Sequence, residues 1–308
     1  MTTMLLKNLI SNLTSDNASI KIKGISFDTR NLKKGDLFVS IKGDKFNGDN
    51  YIKLASSKGA SAIVHSSNLK KNKKIKYIKV NDTRETLAKL SANYYKKKPK
   101  NIIAVTGTNG KTSVSDFFHQ IFTLQKKKVG FIGTLGFKKN NNLKKRNLTT
   151  LDSLSLNKDL SEMRKEGIEN VIIEASSHGL KQKRLNFLKV KAGVFTNLSR
   201  DHLDYHKNMK NYLNSKLLLF KNILEKKSSI ITDTDIKQYK TLKKIQKKRK
   251  LKIYTIGSRG NTLQILNHKI YKDYQFLEIK IRNKVYGIKV NLYGSIQIKN
   301  LLMAVLAS

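Results

Sequence analysis

The run Ile102-Ile103-Ala104-Val105-Thr106-Gly107-Thr108-Asn109-Gly110-Lys111-Thr112-Ser113 joins an apolar stretch to a glycine-bearing turn, a lysine, two hydroxyl residues and a helical pattern. Those residue types in that order can hold phosphate. Backbone N–H groups of the turn and of the helix start would face phosphate oxygens, Lys111 adds a mobile cation, and the Thr112 hydroxyl can ligate Mg²⁺. The common phosphate-loop pattern G-x-x-x-x-G-K-[ST] requires glycine at position 105, where this chain has Val105. Gly107 and Gly110 instead make a shorter T-G-T-N-G-K-T loop, with an ordinary glycine turn as the alternative.

Two further segments carry candidates. Glu174 ends the apolar run Val171-Ile172-Ile173 and precedes Ala175-Ser176-Ser177-His178-Gly179. A carboxylate at a strand's carboxyl end, in the same sheet as a phosphate loop, is placed to hold a nucleotide's Mg²⁺; the alternative is that it caps the next turn. Phe195-Thr196-Asn197-Leu198-Ser199-Arg200-Asp201-His202-Leu203-Asp204-Tyr205-His206 again follows an apolar run. His202 could ligate a metal or bond a backbone carbonyl, and local spacing offers no second ligand.

The elements that must position these residues form an alternating series. Strands are expected at 102–105, 129–132, 171–173, 194–196 and 230–232, with helices near 112–125, 153–166 and 208–225. Such alternation implies an α/β fold with a mostly parallel sheet, helices on both faces and ligands at the carboxyl ends of the strands. Before it, the stretches around Ile25, Leu37 and Ile63 and a helical segment near 50–58 read as a small α/β domain. The only proline, Pro99, follows Lys96-Lys97-Lys98 and places a boundary near residue 100. Near the end, Leu277-Glu278-Ile279-Lys280-Ile281 and Tyr286-Gly287-Ile288-Lys289-Val290 alternate like an antiparallel pair. A last helix is expected from about Ile296 to Ala307.

The 308 residues suit about two domains, and 39% hydrophobic content supplies their cores. A net charge of +42 raises nucleic acid as a partner. The lysines weaken that reading, because they far outnumber arginines and are scattered, as in Lys70-Lys71-Asn72-Lys73-Lys74, without arginine forks or aromatic platforms. Composition bias is the better account. Cysteine is absent, which excludes disulfides and thiolate metal sites. The segment Met4-Leu5-Leu6-Lys7-Asn8-Leu9-Ile10 is too short for a signal peptide, and no apolar run reaches a membrane span. A cytoplasmic protein, monomeric and without a membrane or nucleic-acid partner, is expected.

Taken together, the chain resembles the Mur ligase family, the ATP-dependent amide-forming enzymes of peptidoglycan precursor synthesis, and within it the tripeptide-forming MurE type. Thr106-Gly107-Thr108-Asn109-Gly110-Lys111-Thr112 is shared across that superfamily. Glu174-Ala175-Ser176-Ser177-His178-Gly179-Leu180 with Gln182 and Arg184, and the block from Phe195 to His206, are more specific. The resemblance runs from about Ser26 to the end.

It implies residues 1–99 as a UDP-sugar-binding domain and 100–308 as a central ATP-binding domain. ATP phosphates would lie on Gly107, Thr108, Asn109, Gly110, Lys111, Thr112 and Ser113, with adenine near Asn300. Two Mg²⁺ ions would sit near Thr112, Glu174 and His202. Lys216, otherwise one lysine among dozens, would be carbamylated with CO₂ and so become an anionic metal ligand. The resemblance implies that the UDP-N-acetylmuramoyl-dipeptide substrate meets Phe27, Thr29, Asp44, Lys45 and Phe46, then Thr149, Thr150, Ser176, Gln182 and Arg184. Lys111, Glu174, His202 and Lys216 would carry the catalysis that adds meso-diaminopimelate or lysine, a step of cell-wall biogenesis on which cell shape and division depend.

Some positions depart from the family. Leu151 stands where relatives often have proline, Leu148 where some have asparagine, and Gln297 replaces a usual asparagine while Asn300 is kept. The C-terminal domain that carries a D-N-P-R motif in relatives has no counterpart, so the chain alone is expected to bind substrate without turnover. Folylpolyglutamate synthase shares the loop, and a basic nucleic-acid-binding P-loop protein would explain the charge. These are the competing readings.

Overall fold

A computed structural model of the chain describes residues 3–11, 13–43, 46–69, 75–139, 142–144 and 148–308. It forms two compact units: Met1–Lys97 with Asp152–Ser161 and Gln182–Phe187, and Lys98–Leu151 with Glu162–Lys181 and Leu188–Ser308.

In the first unit, β1 (Met4–Leu5) and β2 (Lys21–Ile22) pair antiparallel. A second sheet runs β3 (Gly24–Ser26), β4 (Asp36–Val39), β5 (Ala62–His65) and β6 (Lys76–Lys79), in that order and all parallel. Strands β4 and β5 are buried along their whole length, which is why they read as near-continuous apolar runs. Leu37, Val39, Ala62 and Val64 pack with Leu87 and Leu90 of helix Thr83–Tyr94. Phe38 and Ile63 face the other way, onto Ile52 and Ala55 of helix Ile52–Ser57.

The second unit holds β7 (Asn101–Thr106), β8 (Val129–Gly133), β9 (Gly136–Lys139), β10 (Asn142–Lys144), β11 (Asn170–Glu174), β12 (Val190–Phe195), β13 (Leu224–Asp233) and β14 (Lys252–Ile256). They form one sheet in the order β10-β9-β8-β11-β7-β12-β13-β14, antiparallel only where β9 and β10 join. The chain leaves central β7 for β8 on one side and later reaches β12 on the other. The carboxyl end of β7 is therefore a topological switch point, where open α/β sheets bind ligands. Ile103 and Val105 face Val114, Phe118 and Phe122 of helix Lys111–Leu124, and Leu302 and Met303 of helix Ser295–Ala307 join the same core. Strands β15 (Gln264–Ile270), β16 (Gln275–Ile281) and β17 (Lys284–Val290) make a separate antiparallel sheet.

Three features differ from the sequence expectation. The helix expected over 208–225 is split into Leu203–His206 and Met209–Leu218, followed by a π turn Leu219–Ile223, and strand begins at once with Leu224. Asn208 starts the longer helix by accepting a hydrogen bond from Asn211 N at 2.9 Å. Helix Tyr239–Arg249 and strands β9, β10, β14 and β15 were not anticipated. Finally, Lys126, Lys227 and Lys250, all exposed, adopt φ of 56°, 65° and 53°, the left-handed region.

Candidate functional site

The loop leaving β7 is shaped by its two glycines. Gly107 has φ 153°, and a Cβ there would collide with Thr196 Oγ1. Gly110 has φ 83°, and its Cβ would fall 2.5 Å from Asn300 Oδ1. Both positions therefore exclude a side chain on steric grounds and on conformation. The loop is clamped from β12: Thr196 Oγ1 donates to Asn109 O at 2.6 Å, Asn197 Oδ1 accepts from Asn109 N at 3.0 Å, and Thr108 N donates to Asn197 O at 3.0 Å. Asn300, 2% exposed, stands behind Gly110 and donates to Gln297 Oε1 at 3.2 Å.

At the start of the following helix, Lys111 Nζ donates back to Gly107 O at 3.0 Å and Thr108 O at 2.7 Å. Burial holds its pKa below the lysine range, against the attraction of Glu174 and Asp201. Glu174 is pushed the opposite way, upward, also by burial. Its carboxylate does not turn onto the residues that follow. Oε1 accepts from Thr134 N at 3.1 Å and Oε2 from Thr134 Oγ1 at 2.9 Å, and Thr112 bonds the same carboxylate. Nearby, Thr134 Oγ1 lies 3.1 Å from Thr149 Oγ1, and Thr150 Oγ1 donates to Glu174 O at 2.7 Å and lies 3.0 Å from Ser176 Oγ.

These groups surround a cavity of about 240 Å³ lined by Thr108, Asn109, Gly110, Lys111, Thr112, Ser113, Thr134, Thr149, Ser176, Ser177, His202, Tyr212 and Lys216. Lys216 is 1% exposed, donates to Gly107 O at 2.7 Å and lies 4.4 Å from the Tyr212 ring centroid. Burial first, and Lys111 second, lower its pKa to about 7. His202 takes φ 51° at the head of helix Leu203–His206, with Nε2 3.3 Å from Asp201 Oδ2. Among the described residues no three His, Cys, Asp or Glu side chains form a metal cage.

The remaining expected residues lie in the first unit. Thr29 is buried and its carbonyl accepts from Lys58 Nζ at 2.8 Å; Phe27 is half-buried, and Phe46 is 73% exposed. Asp44 and Lys45 lie outside the described residues, as do Lys70 to Lys74. Gln182 Oε1 accepts from Arg184 Nη2 at 2.7 Å and Arg84 Nη1 at 3.3 Å. Sequence reasoning passed over Thr134, Tyr212 and Arg84. For Thr134 a signal existed, since Ile132-Gly133-Thr134 is another apolar strand ending in a small-residue turn.

The Mur ligase middle domain profile matches residues 105–308, and the profile described as Mur ligase family, catalytic domain, matches residues 21–95. UDP-N-acetylmuramoyl-L-alanyl-D-glutamate--2,6-diaminopimelate ligase of Rhizobium meliloti (strain 1021) is 37% identical over 296 residues, 96% of this chain and 61% of that protein. The protein of the same name from Rickettsia montanensis is 40% identical over 292 residues, 93% of this chain and 60% of its own. A solved structure of such a ligase superposes with a TM-score of 0.88 at 26% identity, covering 99% of this chain and 63% of that one. The chain thus spans about three fifths of the length of the curated relatives it matches. Identity at this level, sustained along both units and accompanied by a profile match that takes in the phosphate loop, means that the chain belongs to the Mur ligase family.

Proposed function

We propose that the chain binds ATP and UDP-N-acetylmuramoyl-L-alanyl-D-glutamate as part of a ligase that joins 2,6-diaminopimelate to the glutamate side chain. The observation that carries this reading is the convergence of Lys111, Thr112 and Lys216 on one cavity at the carboxyl end of β7, with the buried Glu174 carboxylate bonded to Thr112. The names of the relatives support the substrate and favour diaminopimelate over lysine.

A carboxylate is a poor electrophile, so amide formation requires its activation. Transfer of the γ-phosphoryl group to the glutamate carboxylate gives an acyl phosphate, and attack by the amine then expels phosphate. Positioning and charge stabilisation are the protein's share of this work. Lys111 would exchange the carbonyls of Gly107 and Thr108 for phosphate oxygens, a stronger, charge-assisted pairing for a desolvated ammonium. The cradle at Gly107 and Gly110, which a Cβ would fill, fits a phosphate close to the backbone.

Magnesium fits the same residues. Thr112 and Glu174 offer hard oxygen donors, and an ion that keeps waters and phosphate oxygens needs only one or two protein ligands. When bound it would offset repulsion between the substrate carboxylate and the γ-phosphate. With a pKa of about 7, Lys216 is partly neutral near neutral pH, and its free amine can add to CO₂ and lose a proton to form a carbamate. That product would be an anionic oxygen ligand beside His202, suited to a second Mg²⁺. Thr149, Thr150, Ser176, Gln182 and Arg184 would hold the sugar peptide, with Phe27, Thr29, Asp44, Lys45 and Phe46 at the uridine end.

Calorimetric titration tests the reading. The chain is expected to bind Mg·ADP and UDP-N-acetylmuramoyl-L-alanyl-D-glutamate at separate sites. A folded chain that takes up neither ligand would refute it.

A further inference from the structure

Ser177 and His206 belong to none of the roles above, yet both are 1% exposed and Ser177 lines the cavity. Ser177 Oγ lies 3.0 Å from His206 Nε2, and Ser215 Oγ lies 3.3 Å from His206 Nδ1. The Ser215 hydroxyl also donates to Asn211 O at 2.8 Å.

Proton counting along this chain fixes every direction. A serine hydroxyl has one hydrogen, and that of Ser215 goes to the Asn211 carbonyl. Ser215 can then only accept from the imidazole, so Nδ1 carries the ring proton. The ring is 1% exposed and its two nitrogens meet serine hydroxyls, so a charge on it would be buried without a counter-ion and the neutral form holds. A neutral ring protonated at Nδ1 leaves Nε2 bare. Ser177 must therefore donate to it, and has only lone pairs left for the cavity.

We propose that His206 is a positioning residue that fixes Ser177 as a hydrogen-bond acceptor, so that this wall of the cavity receives a donor group of the ligand and not a phosphate oxygen. Other groups that line the cavity have the reverse polarity. The backbone N–H groups of the loop and helix start, with Lys111 and Ser113, offer donors to an anion. The cavity thus orients a ligand that carries both kinds of group. The donor opposite Ser177 is either a metal-bound water or an N–H of the peptide substrate. The same chain ties helix Ser177–Lys181 to helix Met209–Leu218, one residue from Lys216.

The identity of the ligand rests on the proposed function; the tautomer does not. Long-range ¹H–¹⁵N correlation spectra of the histidine-labelled chain at pH 7 are expected to show His206 protonated at Nδ1 with Nε2 bare. An Nε2–H tautomer or an imidazolium would overturn the proposal. Ser177→Ala removes the acceptor and is read by calorimetry. If the donor is a metal-bound water, affinity for Mg·ADP falls about tenfold while metal-free ADP is unaffected. If it is a substrate N–H, the loss of about tenfold appears with UDP-N-acetylmuramoyl-L-alanyl-D-glutamate instead. Unchanged affinity for both ligands would overturn the acceptor role. Failure of the parent chain to bind either would count against the ligase reading, with the spectra still deciding the tautomer.

Discussion

Two lysines share one carbonyl oxygen: Lys111 and Lys216 both donate to Gly107 O, at 3.0 and 2.7 Å. Burial opposes both charges, and each lowers its pKa accordingly. Lys111→Ala is expected to cost at least about 100-fold in Mg·ADP affinity, because a charge-assisted contact to phosphate is lost. Its unliganded melting temperature should stay close to that of the parent, since Gly107 O keeps Lys216 and Glu174 keeps its bonds to Thr134 and Thr112. Lys216 makes a pH-dependent case. Its folded pKa of about 7 lies below the unperturbed value of 10.5. Between those values the unfolded chain binds a proton that the native chain does not, so this group makes stability rise with pH. Below 7 both states are protonated and the penalty is constant; above 10.5 both are neutral and it vanishes. Lys216→Met, measured by denaturant unfolding in CO₂-depleted buffer, should be more stable at pH 7 by on the order of 2 to 4 kcal/mol. The advantage should shrink to nothing near pH 10.5. A constant difference across that range would contradict the assigned shift.

Helix Ser295–Ala307 is held to the sheet by more than its apolar face. Lys299 Nζ reaches Asp233 Oδ2 at 2.6 Å and Asp235 Oδ2 at 3.2 Å, and Asp233, 3% exposed, ends β13. The next residue, Asn300, backs Gly110, so the ion pair helps to set the loop. Lys299→Met should destabilise by about 2 kcal/mol, because a buried carboxylate is left unpaired, and should weaken Mg·ADP binding several-fold. Adding Asp233→Asn should recover most of the stability; a double variant no better than the single would show that the pair is not the cause. Elements were legible where local pattern decides them. Strand β7, its loop and its helix could be read directly, as could the alternation of β16 and β17. Helix Tyr239–Arg249 was hidden because Leu242 and Ile245 are its only buried residues amid lysines. The helix beyond Met209 was overextended because Leu219, Phe220, Ile223 and Leu224 continue an apolar run through a π turn into a strand. Thr134 ends an apolar run in the sequence, but its place beside Glu174 follows only from the pairing of β8 with β11, which brings Ile132 opposite Ile173. The return of residues 152–161 and 182–187 to the first unit likewise depends on contacts distant in sequence.

At the scale of the whole molecule, 63 basic residues against 21 acidic ones leave a net +42. Like charges at this density repel across the surface, and salt screens them over about 8 Å at physiological ionic strength. The melting temperature should therefore climb between 10 and about 150 mM NaCl. A flat or falling profile would show that local ion pairs outweigh the net field. The same excess has reached the backbone. Lys126 and Lys250 follow the ends of helices and Lys227 lies inside strand β13, all three with left-handed φ, where a Cβ is crowded by about 1 kcal/mol and glycine is not. Replacing all three with glycine relieves that crowding and removes three positive charges at once, so the two effects add, and a rise of several degrees in melting temperature is expected. Lysine at these positions thus meets a conformation that glycine adopts at less cost. The fold carries mutational headroom at its corners, open to any descendant sequence that exchanges a turn lysine for glycine.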